Sequence, residues 1–368
     1  MNTSSHKTAQ ASLSPASDSR ERATGPSGFL LIQTAFIGDT ILATPLVEKL
    51  HETFPHAAID LFIRKGNEGL FTGHPFIRAL HVWDKKKARY LQLIPMIRRI
   101  RKLRYDVCIN LQRHFTTGLV TVLSNARETV GFSMNPLSRF FTRSFVHRIN
   151  PDAALTHEVD LYLQLLTGIV PDTQRCLPRL YPSRDDFEHV GTEVPYVTIA
   201  PSSVWFTKQY PAKSWVKVIE ALPPDVKVML VGAASDRETC ERICAEVKER
   251  SVENLAGRLT LLESAALMAG ARMNYVNDSS PLHIASSVDA PVTAVFCSTV
   301  PAFGYGPLGP EGRLIETDEK LPCRPCGPHG HRECPQGHFR CSEIPPEKIA
   351  ATLTDKGVHH SQKRRHAP

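Results

Sequence analysis

Several groups of residues in this chain have the types and spacing to do chemistry. Gly38-Asp39 places a carboxylate where the apolar run Phe29–Ile32 gives way to Ile41, Leu42 and Leu46 at helical spacing. An acid at such a junction can cap the free N–H groups of a helix start. It can equally take a proton from a ligand in the crevice outside the strand ends. Ser202, Ser203 and Lys208 stand where the strand-like stretch Pro195–Ser203 runs out. Hydroxyls that donate and a mobile ammonium suit a diphosphate, and the plainer reading of Lys208 is a solvated surface lysine. "NDSSPLHIA" follows Arg272–Val276 and opens a helical stretch. There the free N–H groups of Ser279, Ser280 and Leu282 would face a phosphate, with Pro281 fitting the first turn. Asp278 as a simple cap and His283 as a core residue are the alternatives. Cys323-x2-Cys326-x7-Cys334-x6-Cys341, with His329, His331 and His338 between, offers soft ligands for a structural zinc. Free packed thiols are the other reading.

The elements that must position these residues alternate. Strand-like runs at Ala57–Ile63, Ala79–Trp83 and Tyr105–Gln112 are separated by helical stretches around Pro45–Phe54 and Leu91–Leu103, and Ala154–Thr167 has helical spacing. A second series follows: Pro195–Ser203, Val226–Gly232, Arg272–Asp278 and Pro291–Cys297 as strands, with Lys213–Leu222, Asp236–Arg250, Thr260–Ala269 and Leu282–Val288 as helices. Two blocks of this kind predict an α/β protein with two parallel sheets, each covered by helices, facing each other across a cleft. The domains are expected at 29–175 and 195–355, the second including the cysteine segment 323–341. A linker is expected at 176–194, with a disordered arm at 1–28 and a disordered basic tail at 356–368.

Bulk properties narrow the class. A chain of 368 residues suits two domains, and 42% hydrophobic with 22% charged residues is ordinary globular composition. No apolar run reaches the roughly 18 residues of a membrane span, and the first 28 residues lack the apolar core of a secretory signal. The expectation is therefore a cytoplasmic protein with reduced thiols. The net charge of +7 is unevenly spread: Lys85–Arg104 holds nine Lys or Arg and no acid. Leu93, Ile97, Ile100 and Leu103 would lie beneath a cationic face that includes Arg98, Arg99, Arg101 and Lys102. Such a face suits anionic lipid or a phosphorylated acceptor. The absence of an aromatic platform speaks against nucleic acid, and a merely solvated face is the plain alternative.

Five stretches in order carry a family pattern: "IGDTILATP" (Ile37–Pro45), "APSSVWFTKQYP" (Ala200–Pro211), "NLAGRLTLLESAALM" (Asn254–Met268), "VNDSSPLHIA" (Val276–Ala285) and "CRPCGPHGHRECPQGHFRCSEI" (Cys323–Ile344). Over residues 29–353 the chain resembles the heptosyltransferases, inverting GT-B glycosyltransferases that build the lipopolysaccharide inner core from ADP-heptose. It departs from them at Ser280, where the family usually has Gly, and at Tyr210, where Trp is common.

The resemblance implies that Asp39 is the base for the acceptor hydroxyl, ionised near its ordinary pKa of about 4 as an exposed acid. Lys208 would be the charge that stabilises the departing diphosphate. Ser202, Ser203, Ser279, Ser280 and Leu282 would hold the donor, Asp278 a sugar or ribose hydroxyl, His283 a phosphate oxygen, and Asp236 the ribose or its own loop. No Asp-x-Asp motif is present to carry Mg²⁺, so transfer is expected to need no metal cofactor, Lys208 and the helix N-terminus supplying the charge. The partners implied are ADP-heptose, a lipid-anchored core acceptor and the cytoplasmic face of the inner membrane, to which the protein would be peripheral. A GT-B transferase using another nucleotide sugar, and a nucleotide-binding interaction protein without turnover, are the competing readings.

Overall fold

The computed structural model describes residues 25–85, 92–149, 156–191 and 194–353. The expected tail, nearly all of the expected arm and residues 86–91 of the basic run lie outside them.

The first half is built on β1 (Gly28–Gln33), buried along its whole length. That is the environment a continuous apolar run dictates when helices cover both faces of a parallel sheet. β2 (Ala58–Arg64) and β3 (Ile77–Trp83) extend the sheet on one side. β4 (Val107–Asn110), β5 (Glu128–Phe132) and β6 (Arg143–Phe145) extend it on the other. The order is β3-β2-β1-β4-β5-β6, and every pairing is parallel. Helices α1 (Ile37–Leu42), α2 (Thr44–Thr53), α3 (Leu93–Leu103) and α4 (Phe115–Leu123) occupy the crossovers, and α5 (Glu158–Leu163) follows the last strand.

After α6 (Arg184–Val190), the second half repeats the plan. Its strands are β7 (Tyr196–Ala200), β8 (Lys227–Leu230), β9 (Val252–Asn254), β10 (Asn274–Asn277), β11 (Val292–Phe296) and β12 (Gly312–Glu316). They lie in the order β12-β11-β10-β7-β8-β9, again all parallel. Helices α7 (Ala212–Ala221), α8 (Arg237–Glu246), α9 (Leu261–Gly270) and α10 (Ser280–Ser287) connect them, and α11 (Pro346–Ala350) packs on α7. Counted from its own first strand, each half reads 3-2-1-4-5-6. Each therefore has one point where the order reverses, at β1/β4 and at β7/β10, and there the loops diverge to leave a crevice. One buried apolar cluster joins the halves, with Leu42, Leu161 and Leu166 of the first in the same core as Leu282, Ala285 and Phe296 of the second.

Three details differ from the sequence reading. The stretch expected as linker carries α6, opened by Ser183, whose hydroxyl accepts from the Asp186 N–H while Asp186 accepts from the Ser183 N–H. His189 Nδ1 lies 2.6 Å from Glu263, which fastens α6 to α9. In α3 the buried stripe is Leu93, Ile97 and Ile100, whereas Leu103 is 43% exposed because the chain leaves the helix through a left-handed Arg104 one residue later. Strands β5, β6, β9 and β12 also escaped the sequence reading: two of them have only three residues, and β9, Val252-Glu253-Asn254, has no apolar run to betray it. No helix among the described residues is long and apolar enough to cross a membrane.

Candidate active site

On the first half the site begins where β1 ends. Phe36 is the N-cap of α1 and makes no side-chain cap bond, so Asp39 is not the cap but the acid of the first turn. It is half-buried, not exposed. Burial, and then the like charge of Glu158, raise its carboxyl to about 6, against the pull of the Asp39 and Phe36 N–H groups and Lys208. This corrects the expectation of an acid near 4. Asp39 is largely ionised at neutral pH and binds a proton more avidly than a lone aspartate.

Gly38 explains how this turn meets the second half. A Cβ on it would lie 2.8 Å from His283 Cδ2 and 3.8 Å from Ser280 Oγ, so only glycine lets the starts of α1 and α10 abut. His283 is buried, and its Nδ1 has no hydrogen-bond partner among the described residues. Burial, with the charges of His157 and Lys208, pushes it down to about 3. It is neutral and can offer a ligand a hydrogen bond but no charge.

On the second half, the loop after β7 ends in a single 3-10 turn, Phe206–Lys208. Lys208 Nζ lies 2.7 Å from Asp278 Oδ2, and the Thr299 hydroxyl donates to the same oxygen at 2.6 Å. Asp278, expected to hold a sugar hydroxyl, is therefore the counter-ion that aims Lys208. Ser202 and Ser203 line the same loop half-buried, and the Ser203 carbonyl accepts from Gln209 at 2.7 Å. Ser279 caps α10 without a side-chain cap bond. The Leu282 N–H, expected to be free, is bound to the Ser279 carbonyl at 3.0 Å, so among the described residues the open donors of this helix start are the Ser279 and Ser280 amides. Asp236 accepts from the Ala233 N–H at 2.8 Å and presses against Gly232, so it holds its own loop after β8. Tyr210, in place of the usual Trp, is buried, and its hydroxyl donates to the Ile344 carbonyl at 2.6 Å.

The cysteine segment, which reads in sequence as a separate module, is part of the site. The His331 N–H donates to Thr207 Oγ1 at 2.8 Å, and the Thr207 N–H donates back to the His331 carbonyl at 3.1 Å. Gly330, at φ +73°, leaves a gap where a Cβ would stand 2.9 Å from Lys208 Cγ. The segment thus closes over the lysine stem. Cys341 is buried, Cys323 Sγ lies 3.9 Å from His338 Nε2, and Cys326 and Cys341 are raised first by burial and then by neighbouring cysteines. Among the described residues no three His, Cys, Asp or Glu side chains converge as a metal-holding group.

Arg98, Arg99, Arg101 and Lys102 are exposed, but the structure does not bring them to this cleft. A crossover helix runs back from the carboxyl edge of the sheet to its opening edge, so the last turn of α3 lies at the far end. There Arg101 donates to the Leu123 carbonyl at the end of α4. Nearer the site stand residues the sequence reading passed over. Arg113 follows β4, the switch partner of β1, is exposed, and acts electrostatically on His147, Tyr305 and His329. Glu158 acts on Asp39 as a like charge, and His147 stands 2.9 Å from Glu158. The switch-point rule would have found Arg113, whereas Glu158 reads in sequence only as a helix-start acid.

A family model described as glycosyltransferase family 9 (heptosyltransferase) matches residues 94–336. The lipopolysaccharide heptosyltransferase 3 of Escherichia coli is 26% identical over 277 residues, covering 72% of this chain and 82% of that protein. The lipopolysaccharide heptosyltransferase 1 of Pseudomonas aeruginosa is 24% identical over 312 residues, covering 81% and 85%. Among solved structures, E. coli ADP-heptose lps heptosyltransferase II superposes with a TM-score of 0.71 at 21% identity, covering 92% of this chain and 99% of that one. E. coli heptosyltransferase WaaC with ADP superposes with a TM-score of 0.65 at 19% identity, covering 78% and 92%. The two-sheet architecture is the GT-B fold of these heptosyltransferases.

Proposed function

Because the chain belongs to glycosyltransferase family 9 and is a heptosyltransferase-like glycosyltransferase, we propose that it moves heptose from ADP-heptose to a lipopolysaccharide core acceptor with inversion and without a metal. The observation that carries this reading is the meeting of opposite chemistries at one seam. Asp39 comes from one half, Lys208 and the α10 N-terminus come from the other, and Gly38 touches His283 between them. Asp39 takes the proton of the acceptor hydroxyl as its oxygen attacks the anomeric carbon. ADP leaves from the opposite face, and the charge it gains falls to Lys208 and the Ser279 and Ser280 amides. Asp278 keeps the ammonium in place for that moment. The E. coli heptosyltransferase WaaC has been solved with ADP bound, which supports an adenine nucleotide as the donor carrier.

Peripheral attachment to the cytoplasmic face of the inner membrane belongs to the same proposal. The exposed cations of α3 would hold an anionic surface, each worth about 1 kcal/mol at low salt. A zinc on the four cysteines would be structural and outside the chemistry, and would require them to draw closer together than they stand here. ADP release measured over a panel of nucleotide sugars, with the anomeric configuration of the product, tests the reading. ADP-heptose should stand at least tenfold above other donors and give the inverted anomer. Preference for another sugar, or a retained anomer, overturns it. EDTA should leave the rate unchanged; a lowered Tm in the same sample would mark the zinc.

A further inference from the structure

Glu158 is a buried carboxylate that the transfer described above does not use. It opens α5, is 3% exposed, and gives its backbone N–H to the Gly304 carbonyl at 2.9 Å. His147, in the segment after β6, stands 2.9 Å from Glu158 Oε1. Oε2 is buried without a hydrogen-bond partner among the described residues. A buried carboxylate satisfied on one side only is unfavourable and calls for a reason.

Its neighbours supply one. Gln33 Nε2 donates to the Asp39 carbonyl at 3.3 Å and to Tyr162 Oη at 3.1 Å. Tyr162 stands four residues along α5 from Glu158, on the same face. Glu158 thus faces the turn that carries Asp39. Around the two acids stand Tyr162, Tyr305, Lys208 and, behind Gly38, His283. His147, His157 and Arg113 surround Glu158 on its other side.

We propose that Glu158 and His147 form a positioning pair for Asp39, the carboxylate strengthening it as a proton acceptor and the imidazolium moderating that effect. Of the two influences raising Asp39, burial is the larger and the like charge of Glu158 the second. Burial alone would lower His147, but the hydrogen bond and charge of Glu158, with a backbone hydrogen bond, together hold the ring above its ordinary value and favour its charged form. A base that binds protons more tightly, while still ionised at the working pH, moves the acceptor proton more effectively.

This inference rests on Asp39 being the base. The test is the pH profile of kcat for wild type, Glu158→Gln, His147→Asn and Asp39→Asn, using the donor and acceptor pair turned over in the nucleotide-sugar panel. Loss of the like charge should move the acid limb of Glu158→Gln down by about half a pH unit or more. Its rate well below the limb, relative to its own plateau, then rises about threefold. His147→Asn removes the moderating cation and should move the limb up. A merely structural role would not shift the limb in opposite directions. Limbs that stay put, or that move together, overturn the pair. If Glu158→Gln does not fold, by circular dichroism, the direction of the His147→Asn limb decides alone. An inactive Asp39→Asn with unmoved limbs sinks only the pair, whereas an active Asp39→Asn sinks the base assignment itself.

Discussion

The two halves share one topology and carry opposite chemistry at the same place in it. At β1/β4 the first half sets Asp39 in a half-buried turn, with Glu158 as a like-charged neighbour, and its carboxyl is raised to about 6. At β7/β10 the second half sets its own acid, Asp278, against the Lys208 ammonium at 2.7 Å and the Thr299 hydroxyl at 2.6 Å. One acid is raised by burial and then by a like-charged neighbour, and the other is held as a counter-ion. The sheet decides where a ligand can lie, while the loop residues decide whether that place takes a proton or steadies an anion.

Breaking the second half should cost most after the base itself. Lys208→Ala removes the cation at the diphosphate and leaves Asp278 facing it as an unpaired anion. We expect kcat to fall by about 10²–10³-fold, the scale seen when a transition-state charge partner is lost, with weaker ADP binding by calorimetry. Unchanged kcat and ADP affinity would return Lys208 to the surface lysines. The seam between the halves comes next. Gly38→Ala puts a methyl 2.8 Å from the buried His283 ring, so α1 and α10 must move apart. Misplacement of about 1 Å at reacting groups can cost up to about a hundredfold, and we expect a loss of at least tenfold in kcat with ADP affinity little changed. Full activity in Gly38→Ala would mean that the base and the donor are not held across this contact.

The smallest effect on turnover is expected far from both switch points. Replacing Arg98, Arg99, Arg101 and Lys102 by Gln keeps helix propensity and removes the charge at the far end of α3. Sedimentation with anionic vesicles should fall, and the acceptor KM should rise several-fold in low salt, while donor KM and kcat hold. Binding and acceptor use like those of the parent would leave this face merely solvated.

How much of this is legible in the sequence follows from range. Phe29–Ile32 and Val292–Phe296 announce buried parallel strands through their own side chains, and the loops that follow such strands are the place to look for Asp39 and Lys208. What is not legible is tertiary. Asp39 reads as an ordinary exposed acid until the fold half-buries it and α5 brings Glu158 near. The pairing of Asp278 with Lys208 shows only once the Lys208 loop folds over it. The cysteine segment reads as a module of its own, because nothing local shows that Gly330 will lie on the Lys208 stem. Leu282 is misjudged on geometry: its N–H returns to the Ser279 carbonyl in a tight first turn, as the tightened ends of helices often do.

Whether a base on one half serves a donor held by the other is decided by Asp39→Asn, with turnover and ADP binding measured on the same sample. Asn keeps the size of the side chain and removes its basicity. We expect kcat to fall by about two to four decades, while the ADP dissociation constant stays within about twofold of wild type. Near-normal turnover, or a loss of ADP affinity as large as the loss of rate, would contradict it.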